Sequence, residues 1–155
     1  TSLDGEPEVQ VVWQTGKFYE REMREFLASH PTPHIWQGAF IERMDYAYEV
    51  ADVVISRSGA CTVSELCLVG KPTLFVPSPN VAEDHQTKNA MALVDKDAAV
   101  MVRDADAVEQ GMPKALGMLA DSARLAQLKH NIARLGIGDA AERVVRQIEK
   151  EWCKF

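Results

Sequence analysis

A strand, a tight loop and a helix follow one another in the stretch VVISRSGACTVSE, residues 53–65. Val53–Ser56 is an unbroken apolar, mostly β-branched run, which predicts a strand buried on both faces. Arg57–Ala60 predicts a tight loop. The helix is predicted from about Thr62 to Val69, with Gly70 just after its last turn. A strand that passes through a short loop into a helix is the building unit of parallel α/β folds.

The same alternation runs along the rest of the chain. Further strands are predicted at Val9–Trp13, His34–Gln37, Pro72–Val76 and Ala98–Val102. Further helices are predicted at Phe18–Ser29, Arg43–Val50, His85–Leu93, Ala105–Leu119, Ser122–Leu135 and Asp139–Glu151. This order predicts an α/β fold with a parallel sheet and helices on both faces. Ligands of such sheets bind at the carboxyl ends of the strands.

Composition limits the classes of function. The chain has 155 residues, 46% of them hydrophobic, with a formal net charge of -6. One ordered domain over residues 1–155 is expected, and the acidic balance argues against a nucleic-acid partner. No stretch approaches the roughly 20 apolar residues of a membrane span. The odd number of cysteines indicates a reducing cytosol, with Cys61 and Cys67 as small core residues. Because Thr1 is not a start Met, we expect a piece of a longer protein.

Three loops precede helices at the predicted carboxyl edge of the sheet, at Thr15-Gly16, Ser58-Gly59-Ala60 and Val81–His85. A helix N-terminus presents unpaired N–H groups and a partial positive charge. These loops are therefore suited to an anion such as pyrophosphate.

The loop Arg57–Ala60 and the helix start after it have two interpretations. In the first, Gly59 allows close backbone approach to a ligand, Ser58 and Thr62 supply hydroxyls, and Glu65 accepts hydrogen bonds from a vicinal diol. In the second, Thr62 is an N-cap and Glu65 completes a capping box. Local pattern leaves both open.

The other polar segments are equally ambiguous. Asp84–Asn89 either binds sugar hydroxyls or is a helix start capped by Asp84, and His85 has no partner at catalytic spacing. Gln14–Lys17 is not a P-loop and could be an ordinary strand-to-helix turn. Phe40-Ile41 either sandwiches a flat base or packs in the core. No histidine pairing suggests a metal site.

Five segments together resemble one family. They are Gly38–Met44, Ala51–Ala60, Thr62–Glu65, Gly70–Pro72 and Asp84–Ala90. In this order they are similar to the C-terminal half of the UDP-N-acetylglucosamine–N-acetylmuramyl-(pentapeptide) pyrophosphoryl-undecaprenol N-acetylglucosamine transferases. Those enzymes have a GT-B fold, in which two Rossmann-like domains face each other across a cleft. The resemblance runs from about Val9 to the last helix and implies a Rossmann-like donor domain that lacks its first strand and glycine-rich loop.

The resemblance also implies a role for each matching residue. The donor-site residues, in order of role, are Phe40 and Ile41 (through its backbone) for uracil, Ser58, Gly59, Ala60 and Thr62 for the diphosphate, Glu65 for the ribose hydroxyls, His85 and Gln86 for the N-acetylglucosamine hydroxyls, and Thr15 and Gly16 for a further lining loop. The implied reaction is an inverting displacement without cofactor or metal, from UDP-N-acetylglucosamine to lipid-linked N-acetylmuramyl-pentapeptide.

The remaining expectations concern what the family places outside this chain. The catalytic base and the acceptor site belong to the N-terminal domain, so this chain holds no catalytic residue and is inactive alone. Residues 139–155 form a helix that braces that domain. The parent enzyme is cytoplasmic and peripheral on the inner face of the bacterial membrane. One alternative is a stand-alone donor-binding subunit of a split glycosyltransferase. Another is a sugar-nucleotide 2-epimerase, which requires catalytic carboxylates in this half.

Overall fold

The computed structural model describes residues 8–80 and 84–152. The chain divides into two compact units between Ala51 and Asp52. All described strand pairs are parallel, so the prediction of a parallel α/β fold is confirmed. Among the described helices, none is both long enough and apolar enough to cross a bilayer.

The first unit is a β-α-β-α segment. It contains β1 (Val11–Gln14), α1 (Gly16–Ser29), β2 (Ile35–Gly38) and α2 (Met44–Val50). In the sheet, Val11 lies opposite Ile35 and Gln14 opposite Gly38. The two strands therefore end side by side, and the loops that follow them begin at one edge.

The second unit is a three-stranded sheet with helices. Its elements are β3 (Val54–Ser56), α3 (Ala60–Val69), β4 (Thr73–Phe75), α4 (His85–Val94), β5 (Val100–Met101), a 3₁₀ turn (Asp104–Asp106), α5 (Ala107–Ala120), α6 (Ser122–Ala133) and α7 (Ala140–Trp152). The strand order is β3-β4-β5.

The core of the second unit is built on the central strand. All three residues of β4 are completely buried. Leu74 of β4 packs in a cluster with Val102, Ala115, Met118 and Leu128, which come from the end of β5, α5 and α6. Apolar burial stabilises by roughly 25 cal/mol per Å², so this cluster holds β4 firmly and the loops at its ends are fixed with it.

Strand pairing corrects two expectations. The described strands form two hydrogen-bonded sheets where the sequence predicts one. Alternation of strands and helices determines parallel direction, but it does not determine which strands are neighbours. Burial of the third strand on both faces is also wrong, since Ile55 is 46% exposed. β3 is an edge strand of its sheet, and its apolar run resembled that of a central strand.

Packing corrects two further expectations. Cys61 is exposed and Cys67 is buried, because residues six apart on α3 point about 120° away from each other around the helix axis. Cys153 lies outside the described residues. Helix boundaries differ by a few residues, and α1 and α3 both begin two residues earlier than predicted. Gly70 ends α3 as predicted, with the left-handed φ of 65° that favours glycine.

Gly136 permits a close backbone contact between α3 and the segment that follows α6. A Cβ at this position would lie 2.8 Å from the carbonyl oxygen of Cys67, which as backbone in a helix has little freedom to move. We therefore expect Gly136→Ala to lower the free energy of unfolding by about 1–3 kcal/mol in urea denaturation. Gly138→Ala is the matched control, since no atom of residues 8–80 or 84–152 lies within 4 Å of its added Cβ. Equal effects of the two substitutions would contradict this packing.

Candidate functional site

The N-terminus of α3 forms the centre of the candidate site. Gly59 is the N-cap residue, and the first intrahelical hydrogen bond runs from the Val63 amide to the Gly59 carbonyl, at 2.9 Å. The amides of residues 60–62 precede that bond and so have no partner within the helix. Thr62 lies inside the helix, and no side chain caps it, so the capping-box reading of Thr62 and Glu65 is wrong. The helix start therefore keeps its capacity to bind an anion.

Ser58 is completely buried and is fixed by α4. Its hydroxyl donates to the backbone carbonyl of Gln86 at 2.8 Å, and its amide donates to Gln86 Oε1 at 3.3 Å. Asn89 Nδ2 donates to the Ser58 carbonyl at 3.0 Å. Ser58 thus shapes the loop after β3, and both its hydroxyl and its amide are engaged within the protein.

Gln86 joins three segments. Its Oε1 accepts hydrogen bonds from the amides of Ser58 and of Ser78, the latter at 2.9 Å. Two amide donors at one atom identify that atom as the carboxamide oxygen. The predicted juxtaposition of the Ser58 loop with the start of α4 is therefore present in the structure, and Gln86 makes it.

The N-cap residue of α4 has an unusual backbone conformation. Asp84 occupies the N-cap position predicted for it, but it has left-handed φ and ψ of 55° and 35° and its side chain caps no amide. Side-chain capping normally uses extended backbone, so the expected capping role of Asp84 is wrong. His85 follows as the first helical residue and is exposed. Of the predicted loop Val81–His85, only Asp84 and His85 lie within the described residues.

In the first unit, the loops after β1 and β2 are joined by hydrogen bonds. The amides of Thr15 and Gly16 donate to the carbonyls of Gly38 and Ala39, at 3.0 and 3.1 Å. Gln37 Nε2 donates to the Thr15 hydroxyl at 2.8 Å, and that hydroxyl lies 3.2 Å from the Gly38 carbonyl, to which it donates. The two predicted segments of this unit, around Thr15-Gly16 and Phe40-Ile41, are therefore brought together.

Phe40 and Ile41 follow directly from this junction. The Ile41 amide donates to Gln14 Oε1 at 2.9 Å. Phe40 is 65% exposed, so core packing is the wrong reading of this side chain. An exposed aromatic ring beside a fixed backbone is suited to contact a flat base.

Several framework residues escape prediction from sequence. The side chains or backbone amides that hold the loops belong to Gln14, Gln37, Arg57, Ser78 and Asn89. Gln14, Arg57 and Asn89 lie in segments that the sequence singles out, but the sequence predicts no role for them, and Gln37 and Ser78 lie outside those segments. One signal was available for Asn89, which lies three residues after Gln86 and so on the same side of a helix. Glu65 is exposed in the second turn of α3. Among described residues, no three His, Cys, Asp or Glu side chains group as a metal site.

Comparison with known proteins agrees with this geometry. Residues 2–144 match the glycosyltransferase family 28 C-terminal domain. Two similar relatives are the UDP-N-acetylglucosamine–N-acetylmuramyl-(pentapeptide) pyrophosphoryl-undecaprenol N-acetylglucosamine transferases of Parabacteroides distasonis, 53% identical over 143 residues, and Porphyromonas gingivalis, 50% identical over 142. Each match covers 92% of this chain but 39% and 38% of the relative, respectively. The chain thus spans about two-fifths of their length.

A solved structure shows the same fold. The crystal structure of Acinetobacter baumannii MurG superposes with a TM-score of 0.80 at 30% identity, over 91% of this chain and 43% of that one. The predicted Rossmann-like fold, with helices on both faces, is confirmed by this match. On the strength of the family match over nearly its whole length, the chain belongs to the C-terminal domain of glycosyltransferase family 28.

Proposed function

We propose that this chain is the donor-binding domain of an inverting N-acetylglucosaminyltransferase. The parent enzyme transfers N-acetylglucosamine from UDP-N-acetylglucosamine to lipid-linked N-acetylmuramyl-pentapeptide, the conversion of lipid I to lipid II in peptidoglycan synthesis. Cell-wall biogenesis, cell shape and cell division would depend on it. The names of the relatives support this activity. Because the match spans only part of each single-chain relative, we favour a two-domain parent over a split enzyme.

One observation carries the proposal, and it concerns Gly59. Its φ of -62° is available to any residue, and among the described residues an added Cβ would meet only the Thr62 hydroxyl, at 3.9 Å. Neither backbone strain nor internal packing therefore requires glycine here. Close approach of a ligand does explain it, because the first amides of α3 lie directly beyond this residue.

The chemistry follows from the position of those amides. As the bond to the anomeric carbon breaks, the UDP leaving group gains negative charge. The first-turn amides of α3 and the partial positive charge of its N-terminus would stabilise that charge. This role needs neither a cofactor nor a metal. The base that activates the acceptor hydroxyl is assigned to the N-terminal domain, and no catalytic residue to this chain.

The other donor contacts are proposed residue by residue. Phe40 would line the base site in the first unit, and Thr15 and Gly16 would form a further loop that lines the donor site. Since the Ile41 amide already donates to Gln14, contact of Ile41 with uracil would use its carbonyl oxygen.

In the second unit, Gly59, Ala60 and Thr62 would face the diphosphate, with Glu65 on the ribose. Ser58 would act at the diphosphate by shaping the loop, since its amide and hydroxyl both donate to Gln86. His85 and Gln86 would contact the sugar hydroxyls. Since Gln86 Oε1 holds two amides, the carboxamide nitrogen is the group that Gln86 would offer to the sugar.

We also propose residues 1–155 as a single donor domain, whose partners are its N-terminal acceptor domain and, through the parent, the lipid-linked acceptor. The face of α7 supports the bracing role of residues 139–155. Its apolar side chains Val144, Val145, Ile148 and Trp152 are 53–80% exposed. The parent is proposed to be cytoplasmic and peripheral at the inner face of the membrane.

Gly59→Ala tests the observation on which the proposal rests. We expect the melting temperature to change little, because alanine restricts the unfolded chain but is a poorer N-cap residue than glycine. We expect UDP-N-acetylglucosamine affinity in calorimetric titration to fall at least tenfold, about 1.4 kcal/mol. Gly117→Ala, inside α5, is the control, since no described atom outside that helix lies within 4 Å of its added Cβ. Undiminished binding by Gly59→Ala would refute the ligand-approach argument.

Glu65→Ala tests the ribose contact. Glu65 is exposed and caps no helix, so we expect little change in melting temperature and at least a tenfold loss of UDP affinity. Ser64→Ala, an exposed neighbour in the same helix, should bind normally. Titration with UDP-glucose and ADP reports selectivity for the sugar and the base. Parallel losses of stability and affinity would indicate a structural role for Glu65 instead.

Cys61 provides a probe in the native helix start. It is exposed in the first turn of α3, whereas Cys67 is buried and burial raises the pKa of its thiol, so Cys67 has less reactive thiolate. In a Cys153→Ser background, we expect UDP-N-acetylglucosamine to slow alkylation of Cys61 by iodoacetamide severalfold, as followed by mass spectrometry. ADP should protect much less. Equal alkylation rates with and without the donor would place the ligand elsewhere.

A further inference from the structure

Arg57 makes the most extensive side-chain contacts near the helix start outside the Gln86 network. It follows β3 directly. Its Nη1 donates to the backbone carbonyls of Val76 at 3.0 Å and Pro77 at 3.2 Å. The same guanidinium nitrogen pairs with the carboxylate of Asp104, in the 3₁₀ turn after β5. One side chain thus contacts the segments that follow two other strands.

These contacts join the carboxyl ends of the whole three-stranded sheet. β4 lies between β3 and β5. The last backbone hydrogen bonds between these strands run from the Val76 amide to the Ser56 carbonyl and from the Val102 amide to the Phe75 carbonyl. The Arg57 contacts lie just beyond them. The strands are short, so backbone pairing ends just where the loops begin. The Arg57 side chain continues the connection into the loops.

The Arg57 contacts and the Gln86 contacts act on the same two loops. Arg57 precedes Ser58, and Pro77 precedes Ser78, whereas Gln86 Oε1 accepts from the amides of Ser58 and Ser78. Each loop is therefore held at two consecutive residues. The backbone that leads into Gly59 and the start of α3 has correspondingly little freedom.

An arginine next to a diphosphate site usually suggests a phosphate ligand. Here the guanidinium is directed to two carbonyls and a carboxylate, and Asp104 offsets its charge. The Arg57 and Asp104 side chains are 54% and 36% exposed, so their ion pair by itself contributes little to global stability. The contacts are better suited to fixing the geometry of the loop than to stabilising the fold.

We propose that Arg57 and Asp104 form a latch that positions the loop at residues 57–59 for the donor diphosphate. Arg57 is then a positioning residue, which acts through the loop and does not itself touch the donor. This inference rests on the proposed function of the helix start as the diphosphate site.

Asp104→Asn distinguishes phosphate binding by Arg57 from positioning of the loop, because the two roles predict opposite changes in donor affinity. If Arg57 bound phosphate, removal of the competing carboxylate would release the guanidinium and raise the local positive charge, so affinity would increase. If Arg57 positions the loop, the weakened latch lowers affinity in the same direction as Arg57→Ala. The two roles therefore predict opposite outcomes for one nearly isosteric substitution.

The test is calorimetric titration of the chain with UDP-N-acetylglucosamine. We expect Arg57→Ala and Asp104→Asn each to weaken binding by about five- to tenfold, and the double variant to bind no worse than Arg57→Ala alone, because coupled residues are not additive. Arg57→Lys should restore binding only in part, since one ammonium cannot reproduce the planar guanidinium contacts.

The matched controls come from a neighbouring ion pair. Arg103 and Asp106 pair at 2.7 Å beside the same turn, and among the described residues no hydrogen bond of theirs reaches the loops that Arg57 contacts. Arg103→Ala and Asp106→Asn make the same changes in net charge, and both should bind as the wild-type chain does. A second readout is hydrogen exchange of the Ser58 and Ser78 amides without ligand, which should accelerate in both latch variants but in neither control.

The outcomes distinguish this inference from the proposed function. Tighter binding by Asp104→Asn, or weaker binding by Arg57→Ala with unchanged amide exchange, would overturn the positioning role and leave the donor site in place. Failure of the folded wild-type chain to bind would overturn the donor assignment and the positioning role with it.

Discussion

The candidate site depends on the complete burial of Ser58 beneath the first turn of α4. A buried backbone segment must satisfy each of its polar groups, and Ser58 does so through Gln86 and Asn89. These bonds join residues about 30 positions apart in sequence. Because the backbone of Ser58 is fixed, the positions of Gly59 and of the first amides of α3 are fixed as well. The anion-binding capacity of the helix start is therefore a consequence of this one packed serine.

Glutamine side chains solve the same problem in both units. Loops that follow short parallel strands leave amides without a ladder partner. Gln14 Oε1 accepts the Ile41 amide in the first unit, and Gln86 Oε1 accepts the amides of Ser58 and Ser78 in the second. A carboxamide on a flexible stem reaches such amides without adding charge. Preorganisation of this kind lowers the ordering cost that a ligand would otherwise meet.

The glycines of this chain are needed for different reasons. Gly70 has the left-handed φ that ends a helix, as the sequence predicts, and Gly136 allows α3 and the chain after α6 to approach. Gly59 has neither reason among the described residues, which is why it points to a ligand. The sequence predicts the helix end at Gly70 and leaves Gly59 open, whereas the contact at Gly136 is seen only in the structure.

The sequence by itself determined the order of strands and helices, because apolar periodicity and turn residues act locally. It also determined the family, since each motif between Gly38 and Ala90 is a continuous run of residues that can be recognised without knowing the fold. Only the tertiary structure decided that Thr62 caps nothing and that Gln86 and Arg57 hold loops. Those roles depend on partners up to 47 residues away, such as Asp104, and no local pattern specifies which distant groups the packed core brings together.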